Sequence, residues 1–383
     1  MPPSLRVAID LRPLARGPAT GIGLILTQIL EEVPSRGCTF VGVSDRPLPE
    51  GLVPESVEVR ATGLASGRIR WEASVLPRLL RSLDPPPDLF HATWNHGIPS
   101  GLSFPSVLSL HDLIPWVLPE AVPWPRPKAL HRWLYRRSVR GSARRAAEVV
   151  TLSDASRRDI VARLPGLERK ITVIPCAVPR WFWAAPDPRA IESWRARVCG
   201  RPYWLYFGGF DPRKGLDLLV RALARAFPDR ARAPLLVLAG ARNALAERLA
   251  AEAAAEGLPV ELPGYVPDPE LRPLLAGASL FVYPSRYEGF GIPPLLAMAA
   301  GVPCLASDAA SLPEVVGDAA LLFRAGDVEA LTERMRDAAS DPARMRELAA
   351  RGPERAARFS VEALAERTRS VYERAASLRR GSA

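Results

Sequence analysis

Residues 283–308 read YPSRYEGFGIPPLLAMAAGVPCLASD, and the rest of the chain is arranged around this stretch. It begins as the end of a strand: Leu280, Phe281, Val282 and Tyr283 are a run of strand formers that stops at Pro284. In the loop that follows, Glu288 stands among small and turn-forming residues, and Gly289 and Gly291 leave backbone N–H groups uncovered. Pro293 and Pro294 fall at the first positions of a helix, where proline is tolerated. Residues 295–300 continue it as a short apolar helix, ended by Gly301 and Pro303. Strand, glycine loop and helix N-terminus make an anion site, because free amides and the positive end of a helix dipole face one point. A carboxylate beside such a site has another task, accepting hydrogen bonds from hydroxyls. Phosphate together with polyol describes a nucleotide sugar.

A second stretch has the same layout. Residues 203–207 are a buried strand, followed by Gly208-Gly209-Phe210-Asp211-Pro212-Arg213-Lys214-Gly215. A strand, a glycine turn and two cations at a helix start suit a diphosphate. Only Lys128, Lys170 and Lys214 are lysines in a chain with 51 basic residues, which makes the position of Lys214 informative.

Together these residues resemble the donor site of the retaining glycosyltransferases of family 4, which have the two-lobed GT-B fold. The signature there is a Glu, seven residues and a second Glu, with GFG and paired prolines between. Glu288 matches the first carboxylate, and Leu296 stands where the second is expected. The resemblance implies that Glu288 orients the sugar, that Arg213, Lys214, Gly289, Phe290 and Gly291 bind the donor phosphates, and that Tyr265 and Val266 in the Pro263-Gly264-Tyr265-Val266 turn touch the base. The second Glu typically holds the ribose. Leucine accepts no hydrogen bond, and a hydrogen bond to a charged group contributes roughly 1.5–3 kcal/mol. Two expectations follow for Leu296. Either it lies at the ribose and donor binding is weak, so that Leu296→Glu tightens it about tenfold or more, or it packs in the core beside Leu295 and Met298 and the same change destabilises the protein.

Working outward, strands alternate with helices along the whole chain, which argues for parallel, doubly wound sheets with ligands at the strand C-termini. Residues 5–9 form the first strand, and Gly17, Gly21 and Gly23 lead into a helix over 22–33. These glycines alone are weak evidence; the resemblance makes Gly21 and Gly23 donor contacts. Residues 69–83 read as a helix. His91 and His111 fall at strand ends, and His111 in SLHDLIP resembles the family turn whose histidine lies by the transferred sugar. Residues 126–145 carry eight basic residues and no acidic one, over apolar positions Leu130, Trp133, Leu134, Val139 and Ala143 at roughly helical spacing. Such a segment either lies on an anionic membrane surface or is a core helix with a solvated arginine face.

A chain of 383 residues is long for one core, so two domains are expected. The resemblance places a Rossmann-like acceptor domain at 1–180, a proline- and tryptophan-rich linker at 181–202, and a Rossmann-like nucleotide-sugar domain at 203–360. The two domains face a cleft, and a helix over 361–383 crosses back to the first. Apolar content of 48 % with no run near the roughly 20 residues that span a bilayer reads as a soluble, cytoplasmic protein, peripheral at most to the inner face of a membrane. Cys38, Cys176, Cys199 and Cys304 show no paired spacing and read as buried thiols. The net charge of +10 favours anionic partners, but the arginines are spread along the chain and no nucleic-acid motif is present.

The function implied is a retaining hexosyltransferase that moves a sugar from a GDP- or UDP-linked donor to a glycan or lipid-linked acceptor. Mannose leads, because HDLIP and EGFGIPP resemble bacterial mannosyltransferases of surface-polysaccharide pathways. No metal ion or separate cofactor is implied. The alternative is a non-catalytic, glycosyltransferase-like binding or scaffold protein, motivated by Leu296.

Overall fold

A computed structural model describes residues 4–16, 21–63, 67–198 and 200–380. Gly17 and Cys199 lie outside the described residues. The chain divides into two compact units, one running to Ala177 and resumed from Ser360, the other Val178–Phe359.

The first unit holds β1 (Leu5–Asp10), β2 (Cys38–Ser44), β3 (Glu58–Ala61), β4 (Leu89–Ala92), β5 (Ser106–Ser109), β6 (Glu148–Thr151) and β7 (Ile171–Val173). They pair in parallel in the order β3-β2-β1-β4-β5-β6-β7. Parallel neighbours need crossovers, and the helices that make them cover both faces, so β4 and β5 are buried along their whole length whereas the edge strand β3 is largely exposed. The order reverses between β1 and β4. That reversal opens a crevice at the strand C-termini, where ligands collect in such sheets.

The second unit repeats the plan with β8 (Tyr203–Phe207), β9 (Leu235–Ala239), β10 (Val260–Gly264), β11 (Leu280–Tyr283), β12 (Cys304–Ser307) and β13 (Ala320–Phe323). The order is β10-β9-β8-β11-β12-β13, again wholly parallel. Here the reversal lies between β8 and β11. The two loops singled out from sequence, after residue 207 and after residue 283, therefore leave from neighbouring strands.

Three helices matter below: α1 (Gly21–Glu32), α2 (Lys128–Arg145) and, in the second unit, α3 (Ile292–Ala299). The last helix, Val361–Arg380, belongs to the first unit. Tyr372 OH is 2.8 Å from His91 Nδ1, Arg369 donates to Gly37 O, and Arg374 pairs with Glu148 at 3.1 Å. None of the described helices is long and apolar enough to cross a membrane.

Three sequence expectations are corrected. Residues 69–83 are not one α-helix: a π-turn, Trp71–Val75, precedes a helix Leu76–Arg81. Pro77 has no N–H to give to the carbonyl four residues back, and the ladder opens to a bond from Leu76 N to Trp71 O. Residues 181–202 carry a 3-10 turn, Arg180–Trp183, and a helix, Pro188–Arg197, capped by Asp187 and counted in the second unit, rather than a bare connector. In α2 the buried face is Tyr135, Val139, Ser142 and Ala143. Leu130 and Trp133, expected beneath the basic residues, are 48 % and 57 % exposed.

Candidate donor site

In the second unit the reversal of strand order brings Arg213, Lys214 and Glu288 together, with Tyr283 and Ser285. Asp211 accepts from Arg213 N and so caps the 3-10 turn Pro212–Lys214. Gly215, at φ 67°, ends that turn in the left-handed region, and a Cβ there would collide with the carbonyl oxygen of Pro284. Arg286 N donates to Arg213 O at 2.7 Å. The cation turn and the glutamate loop are thus held backbone to backbone.

Four donors converge on one oxygen, Glu288 Oε1: Ser285 Oγ at 2.6 Å, Lys214 Nζ at 2.7 Å, Arg213 Nη1 at 2.8 Å and Tyr283 OH at 2.9 Å. Lys214 Nζ also donates to Tyr283 OH at 2.7 Å, so the phenol passes a hydrogen bond from the ammonium to the carboxylate. Tyr283 is in turn stacked on Tyr206 and Phe281. Burial alone would raise the Glu288 carboxyl; Lys214 and Arg213 outweigh it and hold the group at about 2. Burial pulls the Lys214 ammonium below its ordinary value despite Glu288. For Arg213 burial pulls the same way, and Glu288 and Asp211 overcome it, raising the guanidinium. The cluster is buried, with Arg213 and Lys214 set against Glu288 and, for Arg213, against Asp211 as well.

The loop beyond is fixed by Ser311, whose Oγ lies 2.6 Å from Phe290 O and 2.9 Å from Glu288 O. Gly291, at φ 118°, is the uncapped N-cap of α3. Pro293 and Pro294 bring no N–H to the first turn, so the amides of Gly291 and Ile292, with the dipole, are what the helix start offers an anion. Phe290 packs edge-on against Phe359. Leu296 is only 4 % exposed, within the buried run 294–299, as the packing alternative requires, and Glu288 and Lys214 are buried to a similar degree. Gly209 is not forced: a Cβ there would meet only Asp211, at 3.9 Å.

Tyr265 and Val266 line a separate hollow of about 300 Å³ with Trp194, Arg197 and Glu270. Gly21 and Gly23 lie in the first unit, at the start of α1, where Thr27 donates to Gly23 O. His111 follows β5, also in the first unit. Its Nε2 donates to Thr93 O at 3.1 Å, its N donates to Asn95 Oδ1, and its Nδ1 is buried without a hydrogen-bond partner. Burial pulls the imidazole down to about 4, so it is neutral with an open acceptor. His91 is pulled to about 3 by burial and by His111, and lies between Tyr372 OH and Ser109 Oγ, both at 2.8 Å.

Sequence reading missed Tyr283, Ser285 and Ser311 as site residues. Ser285, three before Glu288, carried a usable signal in its spacing; Ser311 reaches the loop from 23 residues further along.

Two parallel-sheet units, one with a buried carboxylate locked to two cations at its reversal point, define the GT-B class of sugar-transfer proteins. Residues 20–177 match the model described as glycosyl transferase 4-like domain, and residues 201–341 match glycosyl transferases group 1. Each of the two segments thus matches a glycosyltransferase domain model. It is 33 % identical over 203 residues to O-antigen chain mannosyltransferase B of Escherichia coli, covering 51 % of this chain and 50 % of that one. It is 32 % identical over 203 residues to MMP alpha-(1->4)-mannosyltransferase of Mycolicibacterium hassiacum, covering 52 % and 47 %. The chain thus spans about half the length of the curated relatives it matches. In fold it is similar to Anabaena HepE in complex with UDP and glucose, with TM-score 0.74, 19 % identity, and 96 % and 98 % of the two chains covered.

Proposed function

We propose that the protein transfers a hexose, mannose first among them, with retention, from a GDP- or UDP-linked donor to a hydroxyl of a glycan or lipid-linked acceptor. The observation that carries this reading is the buried Arg213–Lys214–Glu288 cluster at the reversal of strand order. In the transfer, the bond from the sugar C1 to the diphosphate oxygen breaks, and a bond to the acceptor oxygen forms. The acceptor proton goes to the leaving diphosphate. Negative charge grows on that diphosphate, and the Arg213 N–H groups not taken by Glu288, Tyr287 O and Asp211, the remaining Lys214 proton and the amides at 291–292 are the groups to stabilise it. Glu288 keeps both cations in place and presents an ionised carboxylate to sugar hydroxyls. Neutral His111, with Nδ1 open, suits a hydroxyl donor rather than an anion. Two mannosyltransferases among the relatives support mannose, and the HepE complex supports a nucleoside diphosphate. A lipid-linked acceptor would place the protein at the inner face of a membrane.

Calorimetry of the intact chain with GDP and with UDP, followed by turnover of GDP-mannose and UDP-glucose with mass detection of product, tests the reading. Binding of one nucleoside diphosphate with release from the matching sugar is expected. No binding of either would overturn it, and binding without turnover on any hydroxyl acceptor would leave a donor-binding scaffold in its place.

A further inference from the structure

One hollow of the first unit lies not at a strand end but on the outer face of α2. It is a groove of about 760 Å³ lined by Trp133, Arg136, Arg137, Arg140, Gly141 and Arg144, among others. Gly141 leaves its floor low, since a Cβ there would press on the Arg145 guanidinium at 3.2 Å. Arg145 itself is held back by donating to Ile98 O through Nε and Nη2. Among the described residues, none of Arg136, Arg137, Arg140 and Arg144 has a carboxylate partner. Three of the four are braced by aromatic faces instead: Arg136 and Arg140 lie 5.4 and 4.9 Å from the Trp116 ring, and Arg137 lies 5.8 Å from Trp133. Guanidiniums gathered without counter-charge, with their stems held by rings, are prepared for an anion that the protein does not supply.

The groove also has a direction. The exposed stripe of α2 runs Leu130, Trp133, Arg137, Arg140, Arg144, at spacings of three and four, so these residues share one face. Its first half is apolar and its second half cationic. A soluble polyanion would use only the second half. An anionic lipid has both chemistries in one molecule, and a leaflet presents them at adjacent depths.

We propose that the groove around Gly141 binds the phosphate headgroup of an anionic lipid, with Leu130 and Trp133 entering the apolar layer beside it. The occupant is a membrane leaflet, and the contact requires neither nucleotide nor sugar. It deepens the reading of a membrane-borne acceptor but is measured without donor, so either can fail alone.

The test is sedimentation of the full chain with phosphatidylglycerol vesicles, phosphatidylcholine vesicles and no vesicles. Binding is expected only to phosphatidylglycerol, falling as salt rises. Gly141→Leu fills the groove and keeps every charge, and should weaken binding about tenfold in protein whose circular dichroism stays native. Arg137→Ala with Arg140→Ala should weaken it roughly twenty-five-fold, about fivefold for each cation near an anionic surface. Trp133→Ala should weaken binding and abolish the blue shift of tryptophan fluorescence on vesicles. Unchanged binding by Gly141→Leu alongside loss in the double arginine variant would overturn the groove in favour of diffuse charge. A melting-temperature rise with inorganic pyrophosphate that the double arginine variant removes, together with no vesicle binding, would overturn the lipid in favour of a soluble anion. If Gly141→Leu fails to fold, the arginine and tryptophan variants decide, and no vesicle binding by the unaltered protein rejects the proposal outright.

Discussion

The two units share a topology and treat burial in opposite ways. At the reversal in the second unit, the strand ends bury charge: Glu288 is ionised and matched by Lys214 and Arg213. In the first unit, the ends of β4 and β5 bury His91 and His111, which burial keeps neutral. A charged cluster suits a ligand that brings charge of its own and must exchange partners with it. A neutral pocket with an open imidazole nitrogen suits a ligand that brings hydroxyls. One scaffold can thus serve two chemistries, because the chain order of the strands sets where a site lies and the loop residues set its polarity.

The strongest way to break this contrast is to unbalance the charged side. Lys214→Ala leaves Arg213, Tyr283 and Ser285 on Glu288 Oε1 but removes one of two counter-charges from a buried carboxylate. Breaking a buried pair in this way costs about 3–5 kcal/mol, so the melting temperature should fall as well as nucleoside diphosphate affinity. Unchanged stability and affinity would show that the cluster is ornamental. Arg213→Ala should act the same way, and Glu288→Gln, which leaves both buried cations without their shared carboxylate, should also lower the melting temperature.

Acid should separate the units. Unfolded histidine takes up its proton below about pH 6.5, whereas folded His111 does so only near 4 and His91 near 3. Between these values the unfolded state binds more protons, so the first unit loses stability as pH falls from about 6.5. Glu288 is depressed to about 2, so its contribution is present above the ordinary carboxylate range and is lost between about pH 4.5 and 2. It amounts to about 3 kcal/mol at full strength. Hydrogen exchange followed by peptide should therefore show the first unit opening at higher pH than the second, with His91→Gln flattening only the first transition. A single transition below pH 4 would contradict the neutral-histidine description.

A third test adds a second carboxylate to the charged side. Since Leu296 is buried, Leu296→Glu should lower stability by about 2–3 kcal/mol with no gain in donor affinity. Tighter nucleotide binding at a small stability cost would instead place position 296 at the ribose. The smallest effect expected is from Tyr283→Phe, which removes one of four hydrogen bonds to Oε1 and the acceptor of one from Lys214 Nζ, about 1 kcal/mol each. Its melting curve should shift slightly, and a large shift would mean that the phenol orients Lys214 as well as sharing its proton.

The parallel sheets, the turn at 212–214 and the loop at 288–291 were legible because each is a local pattern: a run of strand formers, then glycine, then charge. Convergence on one atom was not. Tyr283 reads as one more buried strand residue, and only the pairing of β8 with β11 sets its hydroxyl against Lys214. Leu130 and Trp133 misled for a related reason. Spacing defines a face, but Tyr135 and Val139 claim the core side of α2, and nothing in the periodicity says which apolar face wins. The π-turn at 71–75 could have been inferred from Pro77, whose missing N–H falls inside the helix expected there.

The contact between Gly215 and Pro284 reaches beyond stability. Because neither loop can slide past the other, residues 211–215 and 284–288 form one rigid part, shaped for a feature common to many ligands. A laboratory search for altered ligand preference that randomises this part should return mostly misfolded clones. Libraries at Tyr265 and Val266, where the chain is half-buried or exposed and the hollow is its own, have room to vary without dismantling it. The molecule is in this sense modular below the level of its domains, with a fixed anvil and an exchangeable jaw within a single sheet.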